Sequence, residues 1–251
     1  MTLVGFDHRM MPEDTHRSPV AAHAHLALLR EGPSPAWDAG AAEILRTVAG
    51  GRALTALSDH GGRVVLPCRD EQRAERTAVS VRAALRDRPL WIALAWSAGD
   101  EDPRAAHEAG EVLRLARGLR LAPGVYRLDD VMVEYACARS PQVSEAMIAR
   151  IAPVVADPVL RPTLEAVIDA RGNRSRAARE LFIHRSTIDY RLNRVHEQTG
   201  HDPADSRGLQ YLRTALALHR APAQDPIADA HARENVLRLD RHRARHRAFR
   251  A

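Results

Sequence analysis

The sequence predicts an α+β N-terminal half, a mostly antiparallel sheet with helices against it, followed by an all-α C-terminal half. Three observations carry that expectation. Short apolar runs bounded by Pro, Gly or Asn/Asp turn signals are confined to residues before Pro141. After Pro141 every apolar stripe has the 3-and-4 spacing of a helix. Aromatic residues make up only 4% of the 251 residues, and alanine and leucine supply most of the 45% hydrophobic share, which favours helices over a β-sandwich.

The elements follow in order. Residues 2–6 are expected as a short strand, and the Pro- and His-rich stretch after Met10 as a loop holding a short helix at Val20–Arg30. Trp37–Ala49 reads as a helix, with Ala41, Ile44, Leu45 and Val48 on one face. Ala53–Ser58 and Arg63–Pro67 flank Asp59-His60-Gly61-Gly62, a hairpin signal. Glu71–Leu85 is an amphipathic helix and Leu90–Ser97 a buried strand. Pro103–Leu119 is a helix with Asp102 as its N-cap, Gly124–Leu128 a last strand, and Asp130–Cys137 the start of a connecting helix. Beyond Pro141, helices are expected at Val143–Val155, Pro158–Ala170, Arg176–Phe182 capped by Ser175, Arg185–Gln198, and Asp205–His219. Gly172-Asn173 and Gly200 supply the stops. The Arg/His-rich tail, residues 221–251, is expected to be flexible.

Several classes are excluded. The longest purely apolar run, Leu90–Trp96, is far short of the roughly 20 residues that span a bilayer. The first residues lack a basic-then-apolar secretory pattern, since Asp7 closely follows Met1–Phe6. Two cysteines, Cys68 and Cys137, make neither a disulfide framework nor a four-ligand zinc site, and read as buried free thiols. The expectation is a soluble, cytoplasmic chain with no membrane partner.

Charge is unevenly spread. All 37 Lys/Arg positions are arginine. Residues 1–157 hold 19 arginines against 21 acids, whereas residues 158–220 hold 11 against 7 and residues 221–251 hold 7 against 4. Positive charge therefore gathers where a polyanion can meet it. Within that region two short helices with a tight turn at Leu181–His184 make a helix-turn-helix pattern. Small Ala177 and Ala178 let the second helix cross closely, and Ile188, Leu192 and Val195 are its buried stripe. The candidate DNA-contacting set is Ser175, Arg176, His184, Arg185, Ser186, Thr187, Tyr190, Arg191 and Arg194. Arginine forks onto guanine O6/N7 or phosphate, and hydroxyls and a helix N-terminus bind phosphate oxygens.

These residues resemble a known family. Leu164-Glu165-Ala166, Gly172-Asn173, Ala177-Ala178, Leu181-Phe182-Ile183-His184-Arg185-Ser186-Thr187, Tyr190-Arg191-Leu192 and Thr199-Gly200 look like the C-terminal helix-turn-helix of PucR/CdaR bacterial transcriptional regulators. The resemblance implies a DNA-binding regulator over residues 158–220, joined by a helix at 139–157 to a regulatory or dimerisation domain at 1–138. Members of that family often carry a GGDEF-like domain there. The corresponding hairpin reads Gly61-Gly62-Arg63-Val64-Val65, with Arg63 and Val64 where the signature's two acids would lie. Losing those carboxylates removes the oxygen ligands that Mg²⁺ needs, so a degenerate, non-enzymatic domain is expected. The other reading is a nucleotide- or small-molecule-binding sensor in which this half carries the main activity.

The remaining constellations have bland explanations. His242/His246 and His23/His25 lack a third metal ligand and read as a solvated tail and a polar loop. Asp100-Glu101-Asp102, Asp129-Asp130 and Glu134 read as helix-capping and surface acids. No cofactor or metal is expected. Duplex DNA is the expected partner, with RNA polymerase a candidate protein partner and a small-molecule effector of unknown identity. A homodimer or larger even assembly is expected, because one small module seldom gives high specificity. Its surfaces would be Val143, Met147, Ile148, Ile151 and Val154 on one helix and Leu209, Leu212, Leu216 and Leu218 on another; the competing reading is that these residues pack the two halves together.

Overall fold

The computed structural model describes residues 22–31, 43–45, 47–48, 53–58, 61–85, 89–97 and 103–221. Strands β1 (His23–Arg30), β2 (Leu54–Ser58), β3 (Gly61–Pro67), β4 (Leu90–Ser97) and β5 (Val125–Tyr126) form one sheet in the order β2-β3-β1-β4-β5. β1 pairs antiparallel with β3 and β4, and β2 with β3, while β4 and β5 are parallel. The sheet is thus mostly antiparallel, as expected from sequence, with one parallel pair at the β5 edge. The parallel pair arises because β4 and β5 are joined by a crossover helix, α2 (Pro103–Gly118), instead of a hairpin.

The helix expected at Val20–Arg30 is instead the central strand β1. Leu26 and Leu28 face α1 (Glu71–Ala84) in one core, together with Leu45, Val81 and Ile92. Ala27 faces α2 in the other, beside Trp91, Ala93 and Ala95. A strand covered on both faces has no polar alternation, and its Ala/Leu content carries helix propensity. His23 and His25 accordingly lie in β1, His25 buried, and not in a polar loop. Residues 43–45 and 47–48 are helical, as expected for the middle of the Trp37–Ala49 segment. The expected strand at 2–6, the caps at Asp100–Asp102, and His242 and His246 lie outside the described residues.

Gly61 and Gly62 sit inside β3, two residues earlier than the expected strand start. Gly61 has φ +152°, and a Cβ there would stand 2.0 Å from Leu28 O; one on Gly62 would stand 2.2 Å from Ala56 O. The glycine pair is explained by strand packing alone. Val64 is fully buried among Leu26, Ala74 and Val81.

After a 3-10 turn at Leu128–Val131 the elements among the described residues are all helices: α3 (Met132–Ala138), α4 (Pro141–Ala156), α5 (Leu160–Asp169), α6 (Arg174–Glu180), α7 (Arg185–Thr199) and α8 (Ser206–Arg220). α8 lies against both α2 and α4. Leu212, Leu216 and Leu218 share one core with Val112, Leu115, Met147, Ile151 and Val154. The faces expected to serve self-association are therefore interior: α8 needs two apolar sides because it has two helical neighbours. Of the α4 set only Val143 is exposed, at 44%. Glu134, expected at the surface, is buried and accepts hydrogen bonds from Thr214 Oγ1 at 3.0 Å and Gln210 Nε2 at 3.4 Å on α8. Asp130 does cap, accepting from Arg127 N at 2.8 Å. Cys68 is buried and Cys137 half-buried, and burial raises both thiols.

Two devices fix the junction. α2 and α8 approach closely at Gly118, where a Cβ would stand 2.4 Å from Ala217 O. Beside it, Glu165 of α5 is 2.7 Å from Arg220, 3.0 Å from Arg120 and 3.0 Å from Arg161. Its side chain is only 12% exposed. Burial raises this carboxyl, but hydrogen bonds from Arg220 and Arg161 and the charges of Arg220 and Arg120 outweigh that and hold it below the usual range.

Gly118→Ala is expected to cost roughly 1–3 kcal/mol by overpacking a backbone contact. Denaturant unfolding checks it, and unchanged stability would show that α8 shifts freely. Glu165 has a depressed folded pKa, so its stabilisation is present above the unfolded value and lost as pH falls through the folded one. Melting temperature should therefore drop below the ordinary glutamate value of 4.5, and less steeply in Glu165→Gln.

Candidate nucleic-acid interface

Helices α5, α6 and α7 enclose a small core of Ala166, Val167, Ala177, Ala178, Ile188 and Leu192. The alanines let α6 and α7 cross closely, and the stripe Ile188, Leu192, Val195 is buried as its spacing predicts. α5 ends in a Schellman closure: Gly172 N donates to Val167 O at 2.8 Å and Arg171 N to Ile168 O at 2.9 Å. The left-handed residues are Arg171 (φ 54°) and Gly172 (φ 79°). α6 ends the same way, with Ile183 N on Ala178 O at 3.0 Å and Phe182 N on Arg179 O at 3.2 Å. Phe182 has φ 54° and is 96% exposed. A non-glycine residue in this region costs roughly 1–2 kcal/mol, so the turn holds Phe182 outward against its own preference.

The cap of α6 is Asn173, not Ser175. Asn173 Oδ1 accepts from Arg176 N at 3.0 Å, and Ser175 lies exposed in the first turn. The helix therefore starts at Arg174 and stops at Glu180, before Phe182. α7 is capped by His184, whose Nδ1 accepts from Ser186 N at 3.3 Å and lies 2.7 Å from Ser186 Oγ. Gly200 (φ 74°) closes its far end.

The structure separates the nine sequence candidates into groups. His184, Arg185 and Ser186 are exposed together at the N-terminal turn of α7, with Thr187 half-buried behind them. Tyr190 is 62% exposed one turn further, and its hydroxyl bonds to Arg194, which raises the guanidinium pKa. Arg176 is paired with Glu180 of its own helix at 3.0 Å. Arg191 is turned inward: it is half-buried and donates to Thr163 Oγ1 on α5 at 3.2 Å. That bond makes Arg191 a brace between α5 and α7, in place of an exposed side chain at the helix start. Two residues outside the sequence set also hold these helices, one on α7 and one at the start of α5. Arg174 pairs with Asp189 at 2.8 Å, tying α6 to α7 and neutralising the acid in the first turns. Asp157 accepts from Leu160 N and Val159 N, which lower its pKa, with smaller help from Arg194 and Arg191. The Arg174–Asp189 pair follows no helical period, so no local pattern announces it, whereas Asp157 bonds locally to amides two and three residues on, at the start of α5.

Among the described residues, no group of three His, Cys, Asp or Glu side chains stands ready to hold a metal, and no helix is long and apolar enough to cross a membrane.

Uncharacterized proteins of Mycobacterium tuberculosis and Mycobacterium bovis are 29% identical over 182 residues, which is 71% of this chain and 44% of each relative. The chain thus spans less than half the length of these curated relatives. A solved structure, a regulator of polyketide synthase expression from Bifidobacterium adolescentis, aligns over 81% of this chain and 82% of that one, at 21% identity and a TM-score of 0.36. Residues 160–218 match the PucR C-terminal helix-turn-helix domain, from the first helix α5 through α8. Over that span the chain carries a PucR-type C-terminal helix-turn-helix domain.

Proposed function

We propose that the chain is a sequence-specific transcriptional regulator that inserts α7 into the major groove of duplex DNA. The observation that carries this reading is the N-terminal turn of α7, where His184, Arg185 and Ser186 are exposed together at the positive end of a helix. Arg185 is read as the base-contacting fork, and Tyr190 and Arg194 as contacts further along the groove. Ser175 and Arg176, at the start of α6, are read as phosphate contacts. Thr187 supports the turn. We read residues 1–138 as a GGDEF-like domain that regulates or assembles the protein without catalysis, residues 139–157 as the connection, and residues 158–220 as the DNA-binding domain. The burial of Val64 and the packing role of Gly61-Gly62 support a non-catalytic hairpin. We further propose two copies per operator, because one module of this size buries only about 600–1,000 Å² on DNA.

Operator duplexes selected from a random pool provide the test. Arg185→Ala should weaken binding by roughly 5- to 150-fold, the equivalent of ~1–3 kcal/mol, with the melting temperature unchanged. Arg191→Ala should lower the melting temperature, because it removes the brace to Thr163. Light scattering of the complex should give two chains per selected site. Full affinity in folded Arg185→Ala would overturn the assignment of α7, and one chain per site would overturn the dimer. With GTP and Mg²⁺, the purified chain should form no cyclic dinucleotide; product above a heat-killed control would overturn the non-catalytic reading.

A further inference from the structure

At the junction of the sheet with the helical half lies an open cleft of about 450 Å³, within the size range of small-molecule sites. Four guanidinium groups converge on it: Arg117 and Arg120 from the end of α2, Arg161 from α5 and Arg220 from α8. Against them the lining holds one carboxylate, Glu31. Trp91 forms part of the wall, held by its Nε1 donating to Leu121 O at 2.7 Å, and Arg117 lies 4.0 Å above its ring. That stacking leaves the Arg117 fork on a rigid support. Arg120, Arg161 and Arg220 are held from behind by Glu165, which does not line the cleft.

Four guanidiniums against Glu31, Glu165 and Asp169, which pairs with Arg120 at 3.6 Å, leave positive charge in surplus, and a bound oxyanion offsets it. Arginine forks suit carboxylate and phosphate because both accept two parallel hydrogen bonds. The covered face of Trp91 leaves charge, and not ring stacking, as the means of recognition. We propose that this cleft binds a small polyanionic metabolite through its phosphate or carboxylate groups, with Arg117 and Arg161 as principal contacts. Such a ligand joins α2 of the sheet half to α5, the first helix of the PucR-type domain. It also competes with Glu165 for the same guanidiniums. Occupancy therefore changes the forces on α5 and α8. The consequence for DNA affinity rests on the DNA-binding reading above, and the binding site does not.

The test uses the full chain at fixed ionic strength, with sodium pyrophosphate and sodium citrate as separate probes. At a hundred times Kd the effective probe should raise the melting temperature by roughly 5–10 °C. A response to pyrophosphate identifies a phosphate-bearing ligand class, and a response to citrate a carboxylate one. Arg117→Gln, which leaves the Glu165 cluster intact, should weaken the response at least tenfold in Kd. Arg161→Gln should do the same, and Arg117→Gln decides the matter if Arg161→Gln fails to fold. Arg185→Gln, on α7, should leave the response unchanged. No response to either probe would overturn the site, as would a response that survives Arg117→Gln or disappears with Arg185→Gln. Operator affinity is then measured with and without saturating probe. An unchanged affinity overturns the coupling, whereas anion binding by a chain that binds no DNA overturns the proposed function and leaves the site standing.

Discussion

Helix α8 has to satisfy two neighbours at once, and the rest of the molecule is arranged around that demand. One side meets α2, the layer that covers the sheet, and another meets α4. The contact with α2 is close enough to require a glycine, and the polar pair Glu134–Thr214 is sealed at the contact with α3. Because Val195 of α7 joins the same buried cluster as Leu212 and Leu216, the position of α7 is set partly by the sheet half. Apolar burial supplies the driving force here, and its non-directional character is corrected by the few polar contacts at the margins.

Arginine does two kinds of work in this chain. Arg174, Arg176, Arg120, Arg161 and Arg220 are paired with acids and hold helices in place. Arg191 performs the same service with a threonine as its acceptor. Arg185 and Arg194 stand at the exposed surface of α7. The positive balance of residues 158–220 is thus divided between internal bracing and an outward face. Exposed pairs of the first kind contribute little each, while the buried Glu165 cluster couples three helical ends through one carboxylate.

The helical half was legible because its signals are local. Ile188, Leu192 and Val195 lie on one face by spacing alone, and Gly200 marks its own stop. The cap of α6 was misplaced by two residues because Asn173 and Ser175 are both good caps, and only the bond to Arg176 N distinguishes them. β1 was illegible for the opposite reason: burial on both faces erased the alternation that identifies a strand. The inward turn of Arg191 depends on Thr163, twenty-eight positions away, and the Glu165 cluster on residues from three separate segments. Such contacts exist only after the chain has folded. The apolar stripes of α4 and α8 were visible in sequence, but their partner was not, since another helix of the same chain satisfies them as well as a second copy does.

The seating of α8 has a consequence for how such proteins can be built. A helix-turn-helix unit whose last helix completes its neighbour's interior is not a cassette. Severing the chain near residue 158 would strip α8 of the α2 and α4 surfaces it shares with Val112, Met147 and Ile151, and would leave those surfaces bare in the other fragment. A chimera that keeps α7 and changes the sheet half must therefore transplant the face of α2 around Gly118 along with it. The natural unit of exchange includes the seam, and α7 can be altered most cheaply at the exposed positions that the seam does not touch.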